Sequence, residues 1–174
     1  MATASINESS FAAFHSDLNP YVDLKRATCE NGHRAVNVLI LHKRFPNDTV
    51  RSVRGPSMLM YVPFTQAVNL VTLYVRAPES GQRPSGISLF KNVKNVTLNG
   101  VGYVQPTQTY ALTDADWTHG IATLQLKPGT FKNVQSVTVF VSDNDGREDV
   151  TALTNLMFLG STVGPSTLKK KCTT

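Results

Sequence analysis

Short apolar stretches separated by polar turns dominate this chain, and the residue spacing of an amphipathic helix is scarce. The clearest stretch, 69–76 (NLVTLYVR), is rich in β-branched and aromatic residues, and alternate side chains of such a strand face opposite sides. Comparable runs occupy 58–62, 87–90, 123–126, 137–141 and 153–159. This pattern predicts an all-β domain of about eight or nine strands, folded as a β-sandwich or jelly roll.

Two turn signals set the expected strand boundaries. Pro63 is predicted to end the strand 58–62, because a proline has no N–H to donate to a neighbouring strand. Asn99-Gly100 is a strong two-residue hairpin signal, so a short strand pair is predicted at 96–98 and 101–104.

The tetrapeptide FKNV occurs twice, at 90–93 and at 131–134. The first copy lies where the predicted strand 87–90 ends, whereas the second lies just before the strand 137–141 begins. A true repeat would keep its position within the repeated unit, so these copies are not a structural repeat. Two exposed Lys-Asn turns flanked by buried apolar residues explain both.

Length and composition indicate one domain with loose ends. The chain has 174 residues, which is enough for a single domain with a sizeable core. We expect a flexible N-terminus at 1–16, the β-sandwich at 17–163 and a flexible basic tail at 164–174. The stretch 35–42 (AVNVLILH) fits either a further strand or a segment laid along the sandwich.

The apolar runs and the cysteines bear on the cellular compartment. No apolar run approaches the ~20 residues that a membrane-spanning helix needs. The first residues, MATASINESSFAAF, have neither the basic start nor the long apolar centre of a secretory signal. Cys29 and Cys172 are the only cysteines, too few for a scaffold of disulfides. We therefore expect a cytoplasmic protein, with the nucleus as a further compartment, and a monomer.

The formal net charge of +5 raises the question of nucleic-acid binding. Much of the excess lies between Lys25 and Arg54 and in the tail Lys169-Lys170-Lys171. These basic residues are not interleaved with the aromatic residues of a recognisable RNA-binding signature. Solvated surface charge is the favoured interpretation, and electrostatic nucleic-acid binding remains an alternative.

Candidate chemistry is present only as fragments. The stretch 142–149 resembles a calcium loop, but its glycine comes too early and no glutamate follows at the required distance. Cys29, His33 and His42 have no known zinc-ligand spacing. His119 lies near acidic residues without a nucleophile elbow. We therefore expect no catalytic residues, no cofactor and no bound metal, which favours a binding module over an enzyme.

Four segments in order resemble the PITH domain family. The central one is YVPFTQAVNLVTLYVRAPESGQRPSGISLFKNV at 61–93, in which a strand, a Pro-Phe, a second strand, a Gly/Pro-rich loop and a third strand follow one another. The segments DLNPYV (17–22), PTQTYALTDAD (106–116) and FKNVQSVTVFVSDNDGREDVTALTNLMFLG (131–160) are similar to the opening and the C-terminal half of the family. Their order and spacing carry the resemblance, which spans residues 17–163.

This resemblance implies both a fold and a partner. PITH domains are jelly-roll β-sandwiches similar to galactose-binding domains, and in thioredoxin-like proteins they dock the chain onto the regulatory particle of the 26S proteasome. Single-domain members also exist, and this chain resembles one of them. Five phenylalanines match aromatic positions of the family and are expected in the core. They are Phe64, Phe90, Phe131, Phe140 and Phe158.

The chain departs from the family pattern at two places, and the candidate contact residues are chosen by exposure and charge. Before the Pro-Phe strand the family carries an acidic run, but the equivalent stretch 50–56 (VRSVRGP) is basic here. Ala152 stands where the family tends to keep an arginine. We predict partner contacts at the exposed charges of this stretch and of the loop 79–83. The candidate residues are Arg51, Arg54, Glu79 and Arg83.

The predicted function is therefore a non-enzymatic protein-binding adaptor that associates with the proteasome regulatory particle. A small-ligand module, for carbohydrates, is the alternative that the fold suggests. Electrostatic nucleic-acid binding is the other alternative, and it predicts an affinity that falls steeply with salt.

Overall fold

The computed structural model describes residues 15–33, 49–78 and 81–165, and their regular structure is almost entirely β. Within these ranges, three short 3-10 turns interrupt the strands, at Asn19–Tyr21, Val101–Tyr103 and Asp114–Asp116. The strands of the described ranges are β1 (Ser16–Asp17), β2 (Thr28–Glu30), β3 (Gly32–His33), β4 (Val50–Ser52), β5 (Met58–Arg76), β6 (Pro84–Lys91), β7 (Gln108–Ala111), β8 (Trp117–Thr118), β9 (Ile121–Gln125), β10 (Val134–Asn144), β11 (Ala152–Leu153) and β12 (Asn155–Thr162). The predicted all-β class is confirmed. None of the helical segments in these ranges is long or apolar enough to cross a bilayer.

The long strand β5 belongs to both layers of the sandwich. Its first half pairs antiparallel with β10 on one side and with β2 on the other. Its second half pairs with β12 and β9. The first layer continues outward through β6 and β7, and the second ends in β1 on one side and β8 on the other. A separate small sheet, in the order β11-β4-β3, lies beside these layers.

The core lies between the two layers and is filled by alternate side chains. Met58, Met60 and Val62 of β5 are fully buried on the inward face of the first layer. Leu73 and Val75, from the second half of the same strand, are equally buried in the same apolar cluster. Burial of such side chains supplies about 1.5–3 kcal/mol each, so this interior is the main source of stability.

Four of the five predicted core phenylalanines are buried, and the fifth is half-buried. Phe64 and Phe158 meet edge to face, with ring centroids 5.8 Å apart. Phe90 and Phe131 are also buried. Phe140 is only half-buried, because it lies on the face of β10 opposite to Val139 and Val141. The expectation of a core position is therefore wrong for this one ring.

Both predictions about turns in the first layer need correction. Pro63 does not end a strand, because β5 continues through it to Arg76. The pairing register with β10 shifts next to this position, and a proline is tolerated at such an irregularity. The predicted hairpin around Asn99-Gly100 is also wrong. Gly100 N–H donates to the Thr97 carbonyl, and the chain continues into a 3-10 turn rather than a strand.

The two FKNV copies lie where predicted, at the end of β6 and at the entry to β10. Because β6 and β10 are antiparallel neighbours, the copies also meet in space. Asn92 and Asn133 both have left-handed backbones, with φ of 55° and 53°. The side-chain oxygen of Asn92 accepts the Gln135 N–H at 2.7 Å. The copies therefore form one joint between two strands rather than two repeated units.

Several predictions fall outside the described residues. The stretch 35–42 lies there, as do most of the expected flexible ends at 1–16 and 164–174. Glu79 of the predicted contact loop lies there as well.

Candidate functional site

The end of β4 and its connection to β5 present two of the predicted contact residues, and we call residues 51–57 the basic turn. Arg51, Val53 and Arg54 are exposed, whereas Ser52 between them is buried. The Ser52 N–H donates to the Thr151 carbonyl, and the Ser52 hydroxyl accepts the Thr151 N–H, each at 2.9 Å. Alternation along β4 thus fixes one side chain inward and turns its neighbours outward.

Asn31 holds the basic turn in place through its backbone and its side chain. Its carboxamide nitrogen donates to the carbonyls of Arg54 and Ser57, each at 2.7 Å. Its carboxamide oxygen accepts the Arg54 N–H at 2.9 Å, and its backbone carbonyl accepts the Val53 N–H at 3.0 Å. Asn31 itself has a φ of 61°, a conformation that asparagine tolerates better than most residues. Asn31 therefore fixes the backbone of residues 53–57, in addition to the anchoring of Ser52 by Thr151.

The basic turn carries positive charge that is not neutralised within the described residues. The ion pairs in the described part of the chain involve only Arg26 and Arg83. The Arg51 guanidinium donates to the neutral side-chain oxygen of Gln82, which joins the turn to the predicted contact loop. Exposed arginines without an ion-pair partner create a positive potential that attracts acidic surfaces.

Arg83 lies in a different environment from Arg51 and Arg54. Its Nε donates to Asp145 Oδ2 at 2.6 Å, and its Nη2 donates to Asp114 Oδ1 at 2.7 Å. Its guanidinium carbon is 5.4 Å from the centre of the Trp117 ring, a cation–π arrangement. Only 19% of its side chain is exposed. We call Arg83 with these three partners the Arg83 cluster. Whether Arg83 also contacts a partner stays a prediction.

Two glycines allow the loops of the Arg83 cluster to approach each other. A Cβ added to Gly81 would lie 2.9 Å from the Cα of Gly146, closer than real side chains come to a backbone. This close approach of the two loops allows two hydrogen bonds between them. The Arg83 N–H donates to Asp145 Oδ1 at 3.1 Å, and the Asp145 N–H donates to the Arg83 carbonyl at 2.8 Å. The loop containing Asp145, where a calcium loop was considered, thus has its carboxylate bound to an arginine.

A polar cleft of about 510 Å³ lies beside the Arg83 cluster. It is lined by Gly81, Arg83, Asp114, Trp117, His119, Gly120 and Asp145. Trp117 is buried, and the Arg83 guanidinium lies over its ring. An exposed aromatic face on which a sugar ring could stack is therefore not provided by this tryptophan.

The residues considered for a metal do not form a site in the described structure. Burial raises the pKa of the Cys29 thiol to about 12, which disfavours the thiolate that binds a metal. His42 and the side chain of His33 lie outside the described residues. No group of three or more candidate ligands occurs in the part of the chain that the structure describes.

The sequence interpretation missed Val53 and Asn31. The sequence analysis did not single out Val53 within the basic stretch, because the neighbouring residues do not show whether an apolar side chain faces solvent. Asn31 precedes Gly32, and an Asn-Gly pair signals a left-handed backbone. That signal predicts a turn, but it does not reveal hydrogen bonds to residues more than twenty positions away.

Comparison with known proteins links the whole chain to one family. The model of the PITH domain matches residues 8–173. A PITH domain-containing protein of Schizosaccharomyces pombe is 28% identical over 116 residues, which cover 67% of this chain and 56% of that protein. PITH domain-containing protein 1 of Xenopus laevis is 26% identical over 144 residues, which cover 80% of this chain and 66% of that protein. The chain thus matches less than two thirds of the length of either relative.

Several solved structures that share this architecture are carbohydrate-binding modules. The family 32 module of Clostridium perfringens NanJ in complex with galactose superposes with a TM-score of 0.60 at 7% identity, covering 83% of this chain and 98% of that one. A second module of the same organism, in complex with GalNAc-β-1,3-galactose, gives a TM-score of 0.58 at 10% identity, covering 82% and 99%. At these identities the likeness concerns the fold alone, and it confirms the galactose-binding-like jelly roll.

Proposed function

Because the chain belongs to the PITH domain family, we propose that it is a non-enzymatic protein-binding adaptor whose partner is the regulatory particle of the 26S proteasome. The match of the family model to residues 8–173 is the observation that carries this proposal. A rigid sandwich with an exposed charged rim supports it, because such a rim presents contact residues without reordering. We place the protein in the cytoplasm, with the nucleus as a further compartment.

The positive charge of the basic turn restricts how this docking can occur. The family resemblance places an acidic run where this chain has Arg51 and Arg54. If that acidic run meets a basic surface in other members, the same contact would be repulsive here. Docking through the basic turn therefore requires a partner surface that is acidic opposite it.

Recovery of purified 26S proteasomes on the immobilised full chain tests the proposal. We expect recovery by the wild-type chain at moderate salt and a loss of about tenfold or more for the double substitution R51E/R54E, because two favourable charges become repulsive. K127E/K132E is the matched control, since Lys127 and Lys132 are exposed in the β9–β10 connection and change the net charge equally. Failure of the wild-type chain to recover proteasomes would exclude this partner. Equal recovery by R51E/R54E would exclude the basic turn as its contact.

Carbohydrate binding is the second candidate function, because the fold is shared with sugar-binding modules and the polar cleft could hold a small ligand. The covered ring of Trp117 counts against it. Thermal unfolding of the chain with galactose and N-acetylgalactosamine separates the two candidates. A saturable rise in melting temperature would favour the sugar, since a ligand that binds only the folded state stabilises it.

A further inference from the structure

We propose that the basic turn is a docking element for an acidic segment of a partner protein that also presents an apolar side chain, with Val53 as the anchor and Asn31 as the positioning residue. The inference rests on the proposed function only in that the chain binds a protein. It adds the chemistry of the partner and assigns roles to two residues that charge alone would not select.

Val53 differs from the other exposed apolar residues in its surroundings. The residue is 62% exposed, and it lies between Arg51 and Arg54. Leu24 also has two basic neighbours in sequence, Lys25 and Arg26, but the Arg26 guanidinium is 2.7 Å from the Asp23 carboxylate. Among the exposed apolar residues of the described ranges, Val53 is therefore the one set between two arginines that no carboxylate neutralises.

The conformation of the turn is already fixed before binding. Asn31 makes four hydrogen bonds to residues 53–57, and these orient the backbone on both sides of Val53. The buried Ser52, bonded to Thr151, anchors the turn from below. An interface element that is ordered in the free protein loses less conformational entropy on association. An exposed valine held in this way is suited to act as an anchor.

The positive charges of the basic turn favour an acidic partner, and the exposed Val53 favours a protein over a nucleic acid. Arginines form bidentate hydrogen bonds with carboxylates as well as with phosphates, so charge alone would also admit RNA. A phosphate backbone offers no pocket for a branched aliphatic side chain, and the basic turn has no aromatic residue on which a base could stack. An acidic segment that carries an apolar side chain satisfies both features of the turn.

A peptide titration followed by the backbone amide signals of the full chain tests the site directly. The probes are a short Asp/Glu-rich peptide with a central leucine, the same peptide with a central serine, and a single-stranded RNA of mixed sequence. We expect the leucine peptide to shift the signals of Asn31 and of residues 51–57. The serine peptide should bind about tenfold more weakly, because it cannot bury an apolar group against Val53.

Three variants separate the anchor, the charges and the positioning residue. V53A should weaken the leucine peptide about tenfold and leave the serine peptide unchanged. R51Q/R54Q should weaken both peptides and flatten the dependence of affinity on salt, because the screened attraction is removed. N31G keeps a left-handed backbone accessible but removes the carboxamide, so it should weaken the leucine peptide roughly fivefold without changing the salt dependence.

Matched controls and contrary outcomes make the test decisive. V163A removes an exposed valine at the end of β12, and K127Q/K132Q removes two charges from the β9–β10 connection, so neither should alter binding. Equal binding of the leucine and serine peptides, shifts located elsewhere, or tighter binding of RNA would each overturn the inference. Peptide binding by a chain that fails to recover proteasomes would support the inference and reject the proteasome as partner. Recovery of proteasomes that is insensitive to V53A and R51Q/R54Q would support the proteasome as partner and reject the basic turn as its docking element.

Discussion

The Arg83 cluster and the basic turn use the same side chain for opposite purposes. In the cluster, one guanidinium is bonded to two carboxylates and lies over an indole ring. In the basic turn, two guanidinium groups are exposed and face no carboxylate among the described residues. The first arrangement uses the donors of the arginine to hold three loops together. The second leaves the charge available to another molecule.

This difference shows what decides the role of a surface arginine. A guanidinium bonded to carboxylates of its own chain cross-links the segments that carry them, whereas one without an ion-pair partner keeps its charge for another molecule. Removing Arg83 should therefore change folding, and removing Arg51 and Arg54 should change binding with little effect on folding. The predictions below test this separation through the stability of the free chain.

The largest expected effect is that of R83A on the free energy of unfolding. The substitution leaves the Asp145 carboxylate, which is only 13% exposed, without its guanidinium partner, although the backbone N–H of residue 83 can still donate to Oδ1. We expect a loss of about 2–3 kcal/mol in urea unfolding, less than for a fully buried pair because some solvent reaches the site. R83K keeps the positive charge but loses the planar guanidinium that reaches both carboxylates, so its loss of stability should be only partly smaller than that of R83A. A cost no larger than that of R51Q/R54Q, which we expect within about 0.5 kcal/mol, would remove the contrast between the two regions.

A smaller effect is expected when a methyl group is forced between the loops of the cluster. G146A places a Cβ against the backbone of Gly81, where there is no space for it. We expect the free energy of unfolding to fall by about 1–3 kcal/mol, because the loops must move apart and lengthen the Arg83–Asp145 hydrogen bonds. G102A is the matched control, since a Cβ there meets no atom within 4 Å. Equal stability of the two variants would show that the close approach of the loops does not support the cluster.

The smallest expected effect concerns pH and the 3-10 turn that carries Asp114. Hydrogen bonds from the Thr113 N–H and hydroxyl lower the pKa of Asp116 below its ordinary value near 3.8. A carboxyl whose pKa is lower in the folded chain stabilises it above the unfolded pKa, and this contribution is lost as the pH falls through the folded pKa. D116N should therefore be less stable than the wild type near pH 6, and the difference should shrink below about pH 4.

Urea unfolding of the wild type and of D116N, at constant ionic strength from about pH 6 to below about pH 4, measures this difference in stability. A stability difference that is constant with pH would show that the amide replaces the carboxylate at the turn without loss of a charge-dependent bond.

The fold class could be predicted from sequence because it depends on a local pattern repeated along the chain. Alternation in runs such as 69–76 and 137–141 reports a two-faced strand directly. The continuity of β5 through Pro63 could not be predicted in this way, because it depends on a register shift in the neighbouring strand β10. The failed hairpin at Asn99-Gly100 has a similar cause. A turn signal identifies the bend, but the segments on either side need partners to become strands.

The candidate site could be predicted from the sequence even less completely than the strands. Clustering of basic residues in the sequence selected Arg51 and Arg54, and both are exposed. The sequence could not separate them from Arg83, whose carboxylate partners lie 31 and 62 positions away. It also could not show that Asn31 orders the turn, since those hydrogen bonds span 23 and 26 positions. Long-range side-chain bonds decide which charged residue is available, and one sequence does not reveal them.

The shared strand β5 has a consequence for synthesis on the ribosome. Its partners β10 and β12 follow it by dozens of residues, so a nascent chain carries an apolar strand with unpaired edges until those partners emerge from the exit tunnel. Unpaired edges of this kind invite association between neighbouring nascent chains. Premature termination before β12 would leave the second half of β5 without one of its two neighbours, so truncated products of this chain should be substrates for chaperones rather than small folded domains.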